Sequence, residues 1–263
     1  MMNQIRDAEL IFERRGAVQW VLFNRPHHRN ALTWAMYDGL AAACGMVNAD
    51  RSIRAMVLAG MGQVFAAGTD IAQFRDFKTE QDALDYEAHG NSVIGTLESV
   101  QVPVIAALAG ACTGAGAAIA SCCDVRIAAP SARFGIPIVR TLGNCLSHEN
   151  YVRLVALLGF PRASEILMTG RLMDAEELRA IGGVAEVVTE ERLFDRAQEL
   201  AESIGANAPL TLQAAKKALI RIRNRLVPTQ EDDDIIRMCY MSHDFREGVE
   251  AFLAKRKPVW RGE

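Results

Sequence analysis

The chain has 263 residues, of which 50% are hydrophobic and 23% are charged, a composition typical of a globular protein with a sizeable core. Its formal net charge of −3 argues against nucleic acid as a partner, because proteins that bind polyanions usually carry a basic excess. No stretch reaches the roughly 18 uninterrupted apolar residues of a membrane span, so we expect no membrane partner either.

Short apolar and β-branched runs bounded by Gly, Pro and Asn predict five strands. In chain order they are residues 18–23, 55–60, 104–110, 125–129 and 184–188. Helical patterns fill the intervals, over 34–44 behind a Thr33 cap, after Thr69, and over 82–98, 114–121, 151–158 and 174–180. Apolar strands that alternate with helices predict an α/β layered body over residues 1–190.

The pattern changes over residues 191–263, where the sequence predicts only helices. Three amphipathic segments cover 191–206, 209–226 and 231–256, and Pro209 and Pro228 separate them. Such helices either cover the body or join copies of the chain, because short helices with one apolar stripe are poorly stable alone. We favour a C-terminal helical region that serves oligomerisation.

Six cysteines, at positions 44, 112, 122, 123, 145 and 239, are scattered through apolar runs and form no CxxC pair. Buried, reduced thiols predict a cytoplasmic protein. The first ten residues contain no apolar signal core, which agrees with that location. No cluster of metal ligands and no dinucleotide fingerprint is present, so we expect neither a metal nor a separate cofactor.

Two runs of small residues, FAAGTD at 65–70 and GACTGAGAAIASCCD at 110–124, each lie where a strand gives way to a helix. Glycine allows a backbone to approach a ligand closely, and the first N–H groups of a helix lack intrahelical partners. Asp70 can cap the helix that follows and hold the Thr69 N–H in place. The runs therefore serve either close packing or the binding of a carbonyl oxygen that gains negative charge.

These runs also carry a resemblance to a known family. FAAGTDIAQF, followed by PVIAALAGACTGAGAAIASCCDVRIAAPSARFG, resembles the enoyl-CoA hydratase/isomerase family, also called the crotonase family. NRPHHRNAL, the run ALLGFPRASEILMTGRLMDAEELRAIGGVAEVV and SHDFREGVEAFLAKRKPVW resemble further segments of that family, in the same order. The resemblance covers residues 10–260.

The resemblance implies a crotonase-like spiral of repeated β-β-α units, with C-terminal helices that build trimers or dimers of trimers. It implies an acyl-CoA thioester as substrate, so that coenzyme A is part of the substrate rather than a cofactor. By position, the N–H groups of Thr69 and Ala115 match the two donors of the family's oxyanion hole. Alanine stands at 115 where the family commonly has glycine, but it keeps the N–H.

The resemblance also implies contacts with the substrate, above all with its coenzyme A portion. Lys255 lies in a basic cluster that can meet phosphate, although a solvated helix end explains the same charges. The implied substrate-binding residues are Arg25, Arg29, Ala66, Ala67, Gly68, Asp70, Gly114 and Lys255.

The sequence departs from the hydratase pattern at two positions. The two glutamates that handle water and a proton in family hydratases match Ala118 and Ile138. Neither side chain can transfer a proton, and general acid–base catalysis is typically worth a factor of about 10²–10⁴. Ordinary addition of water to a 2-enoyl thioester is therefore not expected.

Several side chains are candidates to replace those carboxylates. Arg140 either binds an acidic group or forms a structural ion pair, and His148 and Glu149 either move protons or lie at a helix start near the surface. Cys145 can act as a nucleophile only if its pKa is lowered. The sequence does not decide whether three further residues face the ligand or solvent, namely Tyr86, Glu87 and His89.

Two functions follow from this pattern. The first is an enzyme that stabilises a thioester enolate. Its reaction would be isomerisation, decarboxylation, hydrolysis, or hydration with the acid–base groups at other positions. The second is a non-catalytic protein that binds CoA esters. A retained pair of backbone donors favours the enzyme, because a pocket without chemistry has less need of them.

Overall fold

The computed structural model describes residues 8–226 and 233–263. Its nine strands, in chain order, are β1 (Leu10–Arg15), β2 (Val18–Phe23), β3 (Ala55–Gly60), β4 (Val104–Leu108), β5 (Ala111–Thr113), β6 (Val125–Ala128), β7 (Arg133–Gly135), β8 (Met173–Asp174) and β9 (Glu186–Val187), all within the described residues. Six of them form one sheet in the order β1-β2-β3-β4-β6-β9, and β5, β7 and β8 form a second. Only β1 runs antiparallel to its neighbour in the larger sheet.

Eleven α-helices lie between and after these strands in the described residues. The first seven are α1 (Trp34–Ala49), α2 (Glu80–Glu98), α3 (Ala115–Cys122), α4 (Ile138–Thr141), α5 (His148–Leu158), α6 (Phe160–Thr169) and α7 (Ala175–Ala180). The last four are α8 (Leu193–Gly205), α9 (Pro209–Leu226), α10 (Asp233–Tyr240) and α11 (His243–Leu253). Short 3-10 helices occupy Pro26–His28, Ile71–Asp76 and Glu190–Arg192.

Both faces of the central strands β3 and β4 are buried, which explains why these strands are continuous apolar runs. Trp20 and Leu22 point to the face that α8 covers with Ala197. Val21 and Phe23 point to the opposite face, towards the core that includes α1, α2 and α3. Alternate residues of one strand therefore serve two separate apolar layers.

The predicted strands at 18–23 and 55–60 are confirmed to the residue, and the other three are shorter than predicted. The strand predicted over 104–110 ends at Leu108, because Gly110 turns the chain with a positive φ of 51°. The six-residue edge strand β1, the short strands β5, β7 and β8 and the helices α4 and α6 were missed. Thr33 caps α1 as predicted, since its side chain accepts a hydrogen bond from the Met36 N–H.

The C-terminal region is helical as predicted, but its third predicted helix is divided. Ser242 interrupts it and caps α11, its hydroxyl accepting a hydrogen bond from the Phe245 N–H at 2.9 Å. Residues 231–232 of the predicted helical segment 231–256 lie outside the described residues. Residues 1–7 of the predicted body 1–190 lie outside them as well. The boundary near residue 190 stays a prediction. Just beyond it, α8 packs on the sheet through Leu193. Gln198 of the same helix accepts a hydrogen bond from the Trp20 indole.

Candidate active site

A cavity of about 640 Å³ opens beyond the carboxyl ends of β3 and β4, where open α/β sheets commonly bind ligands. Both runs of small residues contribute to its wall, and α2, α4 and α11 close the other sides. The residues that line it include Arg29, Ala67, Gly68, Thr69, Asp70, Tyr86, Glu87, Gly90, Gly114, Ala115, Ala118, Ile138, Asn144, Cys145 and Phe252.

The two runs of small residues lie side by side at the centre of this wall. A parallel bridge joins Ala66 to Cys112, just before the glycines. Gly68 and Gly114 have positive φ values of 102° and 55°, and a Cβ built on Gly68 would lie 3.9 Å from the Ala115 nitrogen. The two backbones are therefore in van der Waals contact, and the positive φ values rather than crowding favour glycine at both positions.

The Thr69 and Ala115 N–H groups are among several amides of these runs that donate to no acceptor within the described residues. Leu32 donates its N–H to the Gly68 carbonyl and accepts the Asp70 N–H, both at 2.8 Å, so the Thr69 N–H points away from Leu32. Among the hydrogen bonds between described residues, neither the Thr69 N–H nor the Ala115 N–H is a donor. Ala115 begins α3, where such an amide carries the positive end of the helix dipole.

The Thr69 side chain is held by two tyrosines. Its hydroxyl lies 2.8 Å from the Tyr37 hydroxyl and 2.9 Å from that of Tyr86. Burial raises the pKa of Tyr37 to about 12, so this hydroxyl stays protonated near neutral pH. The three hydroxyl groups hold in place the segment that carries the Thr69 amide.

Glu87 is a buried carboxyl in the same wall, with only 8% of its surface exposed. Tyr240 donates its hydroxyl to Glu87 Oε1 at 2.5 Å, and the Ser147 backbone also hydrogen-bonds the carboxyl. Burial raises the pKa of Glu87 to about 7, while these two hydrogen bonds oppose the rise. Tyr240 lies 153 residues further along the chain, and no local sequence signal joins the two.

The structure shows which side chains of α2 face the cavity, a point that the sequence left open. Tyr86 and Glu87 line the cavity, whereas His89 pairs with Asp38 at 3.2 Å outside its lining. Ala118 and Ile138, at the positions matched to the family glutamates, both lie in the wall and offer no titratable group.

The other acid–base candidates are not brought to the cavity lining. Arg140 is exposed, and its methylene groups pack beside Gly170. His148 and Glu149 stand in the first turn of α5, where the Glu149 carboxylate accepts a hydrogen bond from Asn91 at 3.0 Å. Cys145 does line the cavity, but hydrogen bonding with Cys239 and burial raise the pKa of its thiol, which makes it a poor nucleophile.

The implied substrate-binding residues divide in a similar way. Arg29, Ala67, Gly68, Asp70 and Gly114 line the cavity. Asp70 also caps the 3-10 helix Ile71–Asp76, as the sequence predicted, by accepting a hydrogen bond from the backbone N–H at position 72.

Arg25, Ala66 and Lys255 lie outside that lining. The Arg25 guanidinium is paired internally with Glu9 at 3.0 Å and with Asp70 at 2.9 Å. Lys255 is exposed just after α11, whose Phe252 reaches the cavity.

Within residues 8–226 and 233–263, no group of His, Cys, Asp and Glu side chains is arranged to hold a metal ion. Within the same residues no helix has the length and apolar character needed to span a membrane.

Comparison with known proteins identifies the family of this chain. The family model described as enoyl-CoA hydratase/isomerase matches residues 13–263. The chain belongs to the enoyl-CoA hydratase/isomerase family. The resemblance found in its motifs and the crotonase-like fold are therefore confirmed. Enzymes of this family act on acyl-CoA thioesters.

Individual relatives cover nearly the whole chain. A short-chain-enoyl-CoA hydratase from Clostridium acetobutylicum is 33% identical over 251 residues, which cover 94% of this chain and 95% of the relative. A solved enoyl-CoA hydratase/carnithine racemase from Magnetospirillum magneticum is 34% identical with a TM-score of 0.78, covering 97% and 96% of the two chains. A methylmalonyl-CoA decarboxylase, solved with 2-nitronate-propionyl-CoA, is 26% identical with a TM-score of 0.87, covering 97% and 99%.

Replacing Gly116 by alanine is expected to destabilise the fold by about 1–3 kcal/mol, as overpacking does. The new Cβ would lie 2.3 Å from the Ala66 carbonyl oxygen and would push α3 away from the neighbouring run. Urea unfolding measures the change. Gly95→Ala in α2 is the matched control, because its Cβ meets nothing within 4 Å and alanine favours a helix. Equal stability of the two variants would contradict the tight contact at Gly116.

Proposed function

We propose that this family member is an enzyme that binds the carbonyl oxygen of an acyl-CoA thioester between the Thr69 and Ala115 N–H groups. The observation that carries the proposal is the pair of amides without internal acceptors, brought together by the contact of Gly68 with Gly114. Fixed donors at this place stabilise the negative charge that reaches the oxygen when an enolate forms. The family membership supplies the acyl-CoA substrate class.

We propose an enolate-forming lyase or isomerase reaction rather than ordinary hydration. Ala118 and Ile138 have no titratable group that could position or deprotonate a water molecule, whereas an enolate, once formed, is stabilised by the two amides. Decarboxylation is a specific second candidate, because the likeness to a methylmalonyl-CoA decarboxylase has a TM-score of 0.87. Departure of CO₂ leaves an enolate without requiring a base to remove a proton.

The coenzyme A portion would extend from the cavity past Arg29, with Lys255 near its phosphates. We propose a homotrimer or a dimer of trimers in the cytoplasm. The C-terminal helix α9 supports assembly, because it leaves large apolar side chains exposed at Leu210, Leu219, Ile222 and Leu226.

A panel of thioesters tests the proposal. Saturated, 2-enoyl, 3-enoyl and malonyl-type CoA esters are incubated with the protein, and products are separated by chromatography and mass spectrometry. We expect conversion of the 3-enoyl or malonyl-type ester, with hydration of the 2-enoyl ester slower by about 10²–10⁴ than in a family hydratase that has both glutamates. Binding of all esters with no product would favour the non-catalytic function instead.

A further inference from the structure

A carboxyl group in the cavity wall has no role in binding the thioester oxygen. Glu87 lies on the face of α2 that also carries Ala83, Gly90 and Ile94. No lysine or arginine of the described residues forms an ion pair with it. A buried carboxyl without a cation is costly, so packing alone does not explain its presence.

The hydrogen bonds of Glu87 hold it in one orientation without saturating it. The Tyr240 hydroxyl and the Ser147 backbone are its donors, and Asn144 Nδ2 in turn donates to the Tyr240 oxygen at 3.1 Å. Burial keeps the pKa of Tyr240 well above its ordinary value, so its hydroxyl remains a donor. A carboxylate has about four acceptor positions, and two donors leave room for a proton from a substrate.

Glu87 shares a continuous wall with the two amides. The adjacent residue, Tyr86, reaches the Thr69 hydroxyl at 2.9 Å. One turn further along α2, Gly90 has open space where a side chain would stand, and Ala118 is small. The cavity therefore extends from the thioester oxygen position to the carboxyl without a bulky side chain at either of these two positions.

We infer that Glu87 is the catalytic proton carrier of this site and that Tyr240 is its positioning residue, an inference that rests on the proposed function. The Glu87 carboxylate takes a proton from the acyl α-carbon. The C–H electron pair becomes the second bond between the α-carbon and the carbonyl carbon, and the carbonyl π pair moves to the oxygen at Thr69 and Ala115. Return of the proton to the α-carbon gives exchange, and its delivery to the γ-carbon of a 3-enoyl chain gives the 2-enoyl ester.

The pH dependence follows from the groups around the carboxyl. Besides its two hydrogen-bonding partners, the titratable groups that interact with it are Tyr37 from α1, Tyr86 from its own helix, and Cys145, Glu149 and Tyr151 from the segment around α5. Cys239 from α10 acts on Cys145 and Tyr151 rather than on the carboxyl directly. Burial is the main cause that raises the pKa of Glu87 to about 7, and the Glu149 charge raises it further. Since the ionised form is the base, kcat/KM should increase with pH through about 7 and then level off.

Glu87→Gln tests the assignment, because glutamine keeps an oxygen for the Tyr240 hydroxyl but cannot carry the proton. We expect kcat for exchange of the α-hydrogen with solvent deuterium to fall by about 10²–10⁴, with KM changed only a few-fold. Asp85→Asn, an exposed carboxyl two residues earlier on α2, is the matched control and should leave the rate unchanged. A rise in KM with kcat intact would mean that Glu87 only recognises the acyl group, which would overturn the inference.

Tyr240→Phe gives a second readout that does not require the glutamine variant to fold. The tyrosine hydrogen bond favours the ionised carboxyl, so its loss should move the midpoint of the pH profile upward, whereas Glu149→Gln should move it downward. Unmoved midpoints in both variants would contradict the role of Glu87. Absence of exchange and turnover in the wild-type protein would instead refute the proposed function, and exchange retained in Glu87→Gln would refute this inference alone.

Discussion

Replacing Ala115 by proline is expected to lower kcat/KM by about 10²–10³, the cost of losing one oxyanion donor. Proline has no N–H, yet it is well tolerated at the first position of a helix, and Ala115 is the first residue of α3. The preceding residue, Gly114, has no Cβ to clash with the proline ring. The assay is conversion of whichever thioester the wild-type protein turns over.

Ala115→Gly is the matched control, because it removes the side chain and keeps the donor. It should retain a rate near that of the wild-type protein, and circular dichroism should show both variants folded. A proline variant that is folded and fully active would remove the Ala115 amide from the mechanism, and with it the main support for the proposed function.

The second large effect concerns stability, at a buried cluster of charges whose members Glu98, Arg153 and Arg223 lie outside the cavity lining. The Glu98 carboxylate binds Arg153 through two hydrogen bonds of 3.1 and 3.0 Å and also pairs with Arg223 from α9. Burial alone would raise the pKa of Glu98, but the two arginines lower it below its ordinary value. Only 5% of the Arg153 side chain is exposed, so its charge depends on this partner.

Glu98→Ala is therefore expected to reduce the free energy of unfolding by about 3–5 kcal/mol, because it leaves a buried guanidinium unpaired. Urea unfolding at neutral pH measures the loss. Glu199→Ala, which removes an exposed partner of Arg192 and Arg196, is the control and should change stability little. Similar losses in both variants would contradict the special cost of the buried charge.

The Glu98 cluster also has a defined pH dependence. Because the folded-state pKa of Glu98 lies below its unfolded value, its contribution is present above the unfolded pKa and disappears as the pH falls through the folded one. Part of the acid sensitivity of the wild-type protein should therefore be absent in Glu98→Ala.

Local patterns predict much of the fold because the forces they report are local. The runs at 18–23 and 55–60 are apolar on both faces of a strand, and Thr33 caps its helix through an oxygen three residues before the Met36 amide. The strands β5, β7 and β8, of two or three residues, were missed because so short a segment has no period to detect. Their pairing depends on contacts between distant parts of the chain.

The same distinction explains the site. Motifs located the two glycine runs, and both lie in the cavity wall. Arg140, His148 and Glu149 were acid–base candidates because they lie close to Ile138 in the sequence. The short helix α4 and the loop that follows it place all three outside the cavity lining. The sequence pointed to Glu87 together with Tyr86 and His89 but could not single it out as an acid–base candidate. Its burial and its hydrogen bond with Tyr240 depend on the folded positions of α2 and α10.

The contact of α11 with the body has a consequence for the order of events during synthesis. Gly248 lies against Leu142 so closely that a Cβ would meet the Leu142 carbonyl oxygen at 2.3 Å, and the same helix brings Phe252 to the cavity. Until residues 240–253 have left the ribosome, the emerging chain has Glu87 but cannot use the Tyr240 hydroxyl or the cavity wall that α11 supplies. Catalytic competence should therefore arise only after the last helices of the chain have docked, although every strand of the sheet precedes them in sequence.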